Sequence, residues 1–189
     1  MKKISIIGLG FVGMPTFLTL SNIKNKSKYT YEVEGIEKPD VRGKQIKKDF
    51  NKKKNWIPTK DKIFKRYFNI ASKRKDVYIN TNLNSLFKSN VVIVSVNFDF
   101  QNQTSNYFKN LKKLSKDIAS KIKKKTLVIF ETTLPPGTTD KIIIPEFKKS
   151  LKERKMKIED IYFCYSFERV MPGENYINSI ISNYRCFSG

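Results

Sequence analysis

The residues with the clearest chemistry are three glycines near the N-terminus, in the run Gly8-Leu9-Gly10-Phe11-Val12-Gly13. The run has the spacing G-x-G-x-x-G, and it lies between a short apolar, strand-like stretch and a helical pattern. There the first glycine permits a tight turn, the second lets the backbone approach a pyrophosphate, and the third lets the helix pack closely on the strand. The helix N-terminus then directs N–H groups at the phosphates. The pattern predicts a dinucleotide site contacted by Gly8, Gly10, Phe11, Val12 and Gly13.

An acidic residue supports this prediction. Glu37 ends the next predicted strand, close to the roughly 20-residue separation expected of a carboxylate that accepts from the adenosine ribose hydroxyls. A carboxylate in that position also repels a 2′-phosphate, which favours NAD over NADP. The alternative is that the glycines are ordinary turn residues and that Glu37 is a solvated strand end.

Polar residues also follow two later apolar strands, in residues 131–139 and 165–173. Ligands of open α/β sheets gather at the carboxyl ends of strands, so both segments are predicted to face the same crevice as the glycines. Ser95, near the end of another apolar strand, is a further candidate cofactor contact. Thr138 or Thr139 has a simpler alternative role as a helix cap.

The rest of the chain alternates strand and helix patterns. Strands are predicted at residues 3–7, 29–36, 76–80, 91–96, 126–130 and 161–165, and helices at 14–24, 41–69 (broken at Pro58), 81–89, 107–124 and 137–155. Such alternation predicts an α/β fold of the Rossmann type, a doubly wound and mainly parallel sheet with helices on both faces. The length fits one domain, residues 1–189.

Composition and charge place limits on function. The chain has 38 Lys+Arg, 17 Asp+Glu and a net charge of +21, with 39% hydrophobic residues, which is enough for a packed core. Much of the positive charge lies in residues 38–76. Most basic residues are Lys rather than Arg, which disfavours base readout and leaves three explanations open: coding bias, a polyanion partner, or attraction of a small anionic ligand.

Two cysteines, Cys164 and Cys186, form neither a disulfide framework nor a CxxC metal site, which fits a reducing, cytoplasmic setting. No stretch of about 18 apolar residues is present, and the charged start lacks the features of a signal peptide. The sequence predicts no membrane association and no metal.

Three segments together resemble the UDP-glucose/GDP-mannose dehydrogenase family of nucleotide-sugar 6-dehydrogenases. They are Gly8 to Pro15, then Glu131-Thr132-Thr133-Leu134-Pro135-Pro136-Gly137-Thr138-Thr139, and Tyr165-Ser166-Phe167-Glu168-Arg169-Val170-Met171-Pro172-Gly173. The last segment is most similar to the branch that oxidises UDP-N-acetylhexosamines. The resemblance implies an NAD-dependent oxidation of the C6 alcohol of a UDP-sugar to a uronate, for polysaccharide biosynthesis, through a cysteine-bound intermediate.

The resemblance also implies site roles. Thr133 would be the hydroxyl near the nicotinamide and the catalytic water, and Glu168 the general base that activates this water. Glu168, Arg169, Pro172 and Gly173 would shape the sugar site.

This chain departs from the family at several points. Phe98-Asp99 stands where a Thr-Pro pair is usual, and Phe167 replaces a proline. The family's nucleophilic cysteine, its sugar-binding domain and its dimerising central helix correspond to positions past Gly189. The expectation is therefore a truncated, single NAD-binding domain that binds NAD without completing the oxidation.

Two alternatives remain. One is another short NAD-dependent dehydrogenase of the β-hydroxyacid type, against which the segments at Thr133 and Glu168 argue. The other is a nucleotide-regulated module that binds polyanion through residues 38–76.

Overall fold

The computed structural model describes residues 1–97 and 104–189, and for residues 104–107 it describes the backbone alone. The strands are β1 (Lys2–Ile7), β2 (Lys24–Asn25), β3 (Lys28–Tyr29), β4 (Tyr31–Ile36), β5 (Val77–Asn80), β6 (Val91–Val94), β7 (Leu127–Glu131), β8 (Tyr162–Ser166) and β9 (Phe187–Ser188). The α-helices are α1 (Gly13–Asn22), α2 (Val41–Asn51), α3 (Lys62–Ala71), α4 (Thr104–Ala119), α5 (Ile144–Glu153) and α6 (Tyr176–Ser182).

Seven strands form one sheet in the order β5-β4-β1-β6-β7-β8-β9. All neighbours are parallel except β8 and β9, which pair antiparallel. The order reverses between β1 and β6, since the chain moves outward from β1 in one direction and later in the other. This arrangement confirms the predicted doubly wound, mainly parallel sheet, and the reversal point is where such sheets bind ligands.

Two apolar cores cover the two faces of the sheet. One gathers side chains of α1, α2, α3 and α6, among them Phe17, Phe50 and Phe64. The other gathers side chains of α4 and α5, among them Leu111 and Phe147. The continuous apolar strands β6 and β7 serve both cores, as expected for central parallel strands. Among the described residues, every helix is too short or too polar to cross a bilayer.

Several boundaries differ from the sequence prediction. Helical structure stops at Asn51 and resumes at Lys62, rather than breaking only at Pro58. The stretch at Asn84–Lys88 is a 3₁₀ helix, and the last long helix begins with a π-helical turn at Thr139–Ile143. Tight and wide helical turns leave no periodic signature distinct from that of an α-helix.

Three short elements escaped prediction. The hairpin of β2 and β3 turns at Lys26 and Ser27, both with positive φ, but lacks the Asn-Gly or Asp-Gly pair that usually marks such turns. Helix α6 spans only two turns, and β9 only two residues. Elements this short carry too few residues for periodicity to reveal them.

Candidate functional site

The glycine turn joins β1 to α1 at the point where the strand order reverses. Gly8 has φ +89°, a conformation that favours glycine, and its N–H donates to the Ile36 carbonyl over 2.8 Å. A Cβ on Gly13 would lie 1.8 Å from the Gly8 carbonyl oxygen, so only glycine lets the helix approach this closely. A Cβ on Gly10 would meet nothing within 4 Å. The space above Gly10 is therefore open to a ligand.

The first turn of α1 is available to an anion. Val12 occupies the N-cap position without a side-chain cap, and the first turn contains no acidic residue. Phe11 is 57% exposed beside it. The N–H groups of such a turn form a cradle for phosphate oxygens.

Glu37, the predicted ribose-binding acid, lies beside the glycine turn. It follows β4 directly, and its Oε1 accepts a hydrogen bond from the Leu9 N–H within the glycine turn, at 2.5 Å. This contact fixes the carboxylate beside the turn, the position that a ribose-binding acid needs. The role itself stays a prediction.

We expect Glu37→Gln to narrow the preference for NAD over NADP about tenfold, because removing one charge near a 2′-phosphate is worth about 1–2 kcal/mol. Dissociation constants for both dinucleotides, measured by calorimetry, give the ratio. Glu159→Gln, an exposed site before β8, removes the same charge far from the turn and serves as the control. An unchanged ratio in the Glu37 variant would contradict the assignment.

The ends of β6 and β7 bring further polar groups to the turn. Ser95 follows β6, is 7% exposed, and its carbonyl oxygen would lie 2.9 Å from a Cβ on Gly8. Its hydroxyl lies 3.3 Å from Oε2 of Glu131, the last residue of β7. Oε1 of Glu131 accepts from the guanidinium of Arg185. Ser95 thus contacts the glycine turn, as its predicted place among the cofactor residues requires.

The threonines after β7 have different environments. Thr132 is 7% exposed and donates to the Val96 carbonyl at 2.9 Å, which ties the end of β7 to the end of β6. Thr133 is exposed at the carboxyl edge of the sheet, so its hydroxyl is free to reach a ligand. Thr138 occupies a helix N-cap position but makes no side-chain cap hydrogen bond. The capping alternative therefore finds no support at Thr138.

Glu168 lies beyond the end of β8 in an environment suited to a base. Its Oε1 is buried without a hydrogen-bond partner, and burial raises the pKa of this carboxyl to about 7. Burial raises the pKa of the Tyr176 phenol, and the nearby Glu168 charge adds to this effect. The Tyr176 hydroxyl donates to the Phe11 carbonyl. Glu168 therefore acts electrostatically on the same tyrosine that contacts the glycine turn.

A buried aspartate holds Tyr176 in place. Asp61, 1% exposed, caps α3 by accepting from the N–H groups of Ile63 and Phe64, at 2.6 and 3.0 Å. Its second oxygen accepts from the Ile177 N–H at 2.8 Å. The rings of Phe64 and Tyr176 stack 5.6 Å apart. Asp61 thus fixes α6 against α3, and α6 carries Tyr176.

The other predicted sugar-site residues lie on the segment between β8 and α6. The Arg169 guanidinium lies 5.8 Å from the centre of the Phe167 ring. The backbone carbonyl of Arg169 accepts a hydrogen bond from the side-chain amide of Asn183. Pro172 and Gly173 are exposed, and the Gly173 carbonyl lies 3.5 Å from the Thr59 hydroxyl. Phe98 and Asp99, which replace the usual Thr-Pro pair, lie outside the described residues.

Neither cysteine has the setting of an activated thiol. Cys164 lies within β8, where burial raises the pKa of its thiol. Cys186 is exposed just before β9. A reactive thiol needs neighbours that lower its pKa. A backbone hydrogen bond from Ser188 acts in that direction on Cys164, but burial outweighs it and the pKa of this thiol stays raised.

Three residues beside the glycine turn were not predicted to lie there: Asp61, Tyr176 and Arg185. Glu131 was predicted only as the first residue of the polar segment 131–139. Asp61 had a usable signal, because an aspartate directly before an amphipathic pattern indicates an N-cap. Glu131 pairs with Arg185 across 54 residues of sequence, and Tyr176 contacts Phe11 across 165. No local pattern indicates contacts at such separations.

The glycine turn, the open space at Gly10 and the position of Glu37 define a class, the dinucleotide-binding Rossmann domains. Residues 2–187 match the NAD binding domain of the UDP-glucose/GDP-mannose dehydrogenase family. The chain belongs to this family and constitutes its NAD-binding domain.

Curated relatives include the UDP-N-acetyl-D-mannosamine dehydrogenase of Pyrococcus horikoshii, which is 28% identical over 189 residues, covering 99% of this chain and 41% of the relative. Protein CapL of Staphylococcus aureus is 24% identical over 173 residues, covering 92% of this chain and 36% of the relative. The chain thus spans about two fifths of the length of these relatives.

Solved structures share the fold. The NDP-N-acetyl-D-galactosaminuronic acid dehydrogenase of Methanosarcina mazei Go1 superimposes with a TM-score of 0.83 at 17% identity, covering 100% of this chain and 39% of that one. The UDP-D-ManNAc dehydrogenase of P. horikoshii superimposes with a TM-score of 0.78 at 23% identity, covering 99% of this chain and 41% of that one. At these identities the likeness concerns the fold alone.

Proposed function

We propose that this chain is the cofactor-binding part of an enzyme that oxidises the C6 alcohol of a UDP-N-acetylhexosamine to the uronate with two NAD. The observation that carries the proposal is Glu168, a carboxylate with a buried, unpartnered oxygen and a pKa near 7, whose charge acts on Tyr176, the residue that donates to the Phe11 carbonyl. The family membership and the relatives named UDP-N-acetyl-D-mannosamine dehydrogenase support the substrate class.

The residues fit NAD. The glycine cradle and the first turn of α1 would hold the pyrophosphate, Glu37 the adenosine ribose, and Ser95 and Thr133 the nicotinamide half. When bound, NAD accepts hydride from the sugar carbon. A second candidate, NADP, is disfavoured by the Glu37 carboxylate.

Glu168 would act as the general base. A carboxyl with a pKa near 7 is ionised in a substantial fraction of molecules at neutral pH, and yet it is basic enough to take a proton from water at its Oε1. Thr133 would orient that water with its exposed hydroxyl. Arg169, Pro172 and Gly173 would border the sugar.

The 189-residue chain by itself is expected to bind NAD without steady formation of NADH from a UDP-sugar. The reason is chemical: the Cys164 thiol lies within β8 with a raised pKa, and Cys186 has no counterpart among the family's catalytic residues, so neither is expected to hold the aldehyde intermediate as a thiohemiacetal. The assay follows NADH absorbance with NAD and each UDP-N-acetylhexosamine. Continuous turnover would contradict the single-domain assignment.

A chimera tests the substrate class. Residues 1–189, joined to the downstream part of the P. horikoshii relative, should reduce NAD with UDP-N-acetyl-D-mannosamine. A folded chimera that binds NAD but oxidises no UDP-sugar would overturn the proposed function. A chimera specific for UDP-glucose would overturn the hexosamine assignment.

We also propose a cytoplasmic location, supported by two cysteines that remain free thiols.

A further inference from the structure

The buried ion pair of Glu131 and Arg185 has no role in the function proposed above. Glu131 is 3% exposed, and the Arg185 side chain is 22% exposed. Burial lowers the pKa of the Arg185 guanidinium. Burying two charges costs desolvation free energy, which apolar residues of similar volume would avoid. The pair is therefore not explained by packing alone.

The pair adjoins the dinucleotide cradle. The Glu131 carboxylate lies 3.5 Å from the Thr16 hydroxyl in the first turn of α1, and 3.3 Å from the Ser95 hydroxyl. A Cβ on Gly13 would lie 3.2 Å from the Ser95 Cβ. One hydrogen bond therefore separates Glu131 from residues that pack directly on the glycine turn.

The topology places the pair on the nicotinamide side. Glu37, the ribose-binding candidate, follows β4 on one side of the reversal between β1 and β6. Glu131 ends β7, on the other side. Because the two halves of such a sheet bind the two nucleotides of the cofactor, Glu131 belongs to the half that would hold the nucleotide containing nicotinamide.

The nicotinamide ring is the part of the cofactor whose charge changes on reduction: it is positive in NAD⁺ and neutral in NADH. A carboxylate near the ring favours NAD⁺, and a guanidinium disfavours it. We propose that the Glu131–Arg185 pair sets the relative affinity of this site for NAD⁺ and NADH. The intact pair balances the two effects, and either charge alone would shift the preference.

Single neutralisations should shift the preference in opposite directions. Arg185→Gln leaves the carboxylate uncompensated and should raise the affinity for NAD⁺ relative to NADH about fivefold, the scale expected for one charge acting through a partly solvated site. Glu131→Gln leaves the guanidinium and should lower that ratio by a similar factor. Glu131→Gln combined with Arg185→Gln should restore it.

The measurement is a calorimetric titration of the chain with NAD⁺ and, separately, with NADH. The ratio of the two dissociation constants cancels effects on the shared phosphates. Arg185→Lys keeps the charge and should leave the ratio near its original value. It also covers the case in which the single neutral variants fold poorly, because Arg185→Lys keeps both charges and the double variant removes both, so neither leaves one charge uncompensated.

Matched surface controls come from the opposite end of β7. The exposed Lys124 and the half-buried Asp160 form an ion pair there, at 3.1 Å, so Lys124→Gln and Asp160→Asn change the same charges at a distance. Neither should move the ratio. The proposal is overturned if both neutralisations at the buried pair leave the ratio unchanged, or if they move it in the same direction. Loss of all dinucleotide binding by the unmodified chain would instead count against the NAD site itself.

Discussion

Replacing Gly13 with alanine is expected to abolish NAD binding and to destabilise the fold by about 3 kcal/mol. The added Cβ would lie 1.8 Å from the Gly8 carbonyl oxygen and 3.2 Å from the Ser95 Cβ. Both neighbours are fixed: the Gly8 N–H is bonded to the Ile36 carbonyl, and the Ser95 N–H is bonded to the Ile7 carbonyl. Helix α1 would have to move away from β1, which disrupts the cradle.

Gly10→Ala is the matched comparison. Its Cβ would meet nothing within 4 Å, and Gly10 does not have a positive φ, so the free energy of unfolding should stay within about 1 kcal/mol of the original. The methyl group would nevertheless stand where the pyrophosphate approaches, and NAD affinity should fall at least about tenfold. Chemical denaturation and calorimetry measure the two effects. Equal stability losses in both variants would contradict this account of the turn.

Glu168→Gln is expected to lower kcat by about 10²–10⁴ in the chimera with the downstream part of a relative, because a general base contributes that much. NAD affinity should remain unchanged, since the amide keeps the shape of the side chain. A folded variant with full activity would remove Glu168 from the mechanism.

The same substitution should stabilise the domain at alkaline pH. Burial raises the pKa of Glu168 from its ordinary value of 4.5 to about 7, so the folded state disfavours the charged form. The unfolded chain releases this proton first as pH rises, and stability falls between about pH 4.5 and pH 7. Allowing for the partial exposure of the side chain, Glu168→Gln should raise the free energy of unfolding by about 1–2 kcal/mol at pH 8 and change it little at pH 5.

Denaturant unfolding at both pH values measures this difference. Asp160→Asn is the control, because this half-buried carboxyl has its pKa lowered rather than raised, chiefly by the Lys157 N–H and by Lys124. Removing it should not stabilise the domain at pH 8. If Glu168→Gln lowers the free energy of unfolding at pH 8, the charged carboxylate makes stabilising interactions in the folded state. That result would contradict the account based on its unpartnered oxygen.

The features that were predictable from the sequence are those encoded locally. The glycine spacing identified the turn between β1 and α1, and the apolar runs identified the central strands β6 and β7. Strand and helix alternation then sufficed for the doubly wound sheet, because handedness rules leave few other topologies. Positions such as Glu37 followed from a spacing along the chain.

The parts of the site that were not predictable depend on distant contacts. Tyr176 reaches the glycine turn because α6 packs on α1 and is held against α3 by Asp61 and Phe64, and no local pattern indicates these contacts. The ion pair of Glu131 and Arg185 likewise requires β9 to return antiparallel to β8. Short elements such as α6 and β9 are stabilised by tertiary packing rather than by intrinsic propensity, so sequence periodicity does not predict them.

The central claim is that the glycine cradle and Glu37 form an NAD site within this chain. Calorimetric titration of the unmodified chain with NAD⁺ and with NADP⁺ tests it most directly. The account predicts saturable binding of one NAD⁺ per chain and an affinity for NADP⁺ at least about tenfold weaker, because the Glu37 carboxylate repels the 2′-phosphate. Absence of NAD⁺ binding by the folded chain, or tighter binding of NADP⁺, would contradict it.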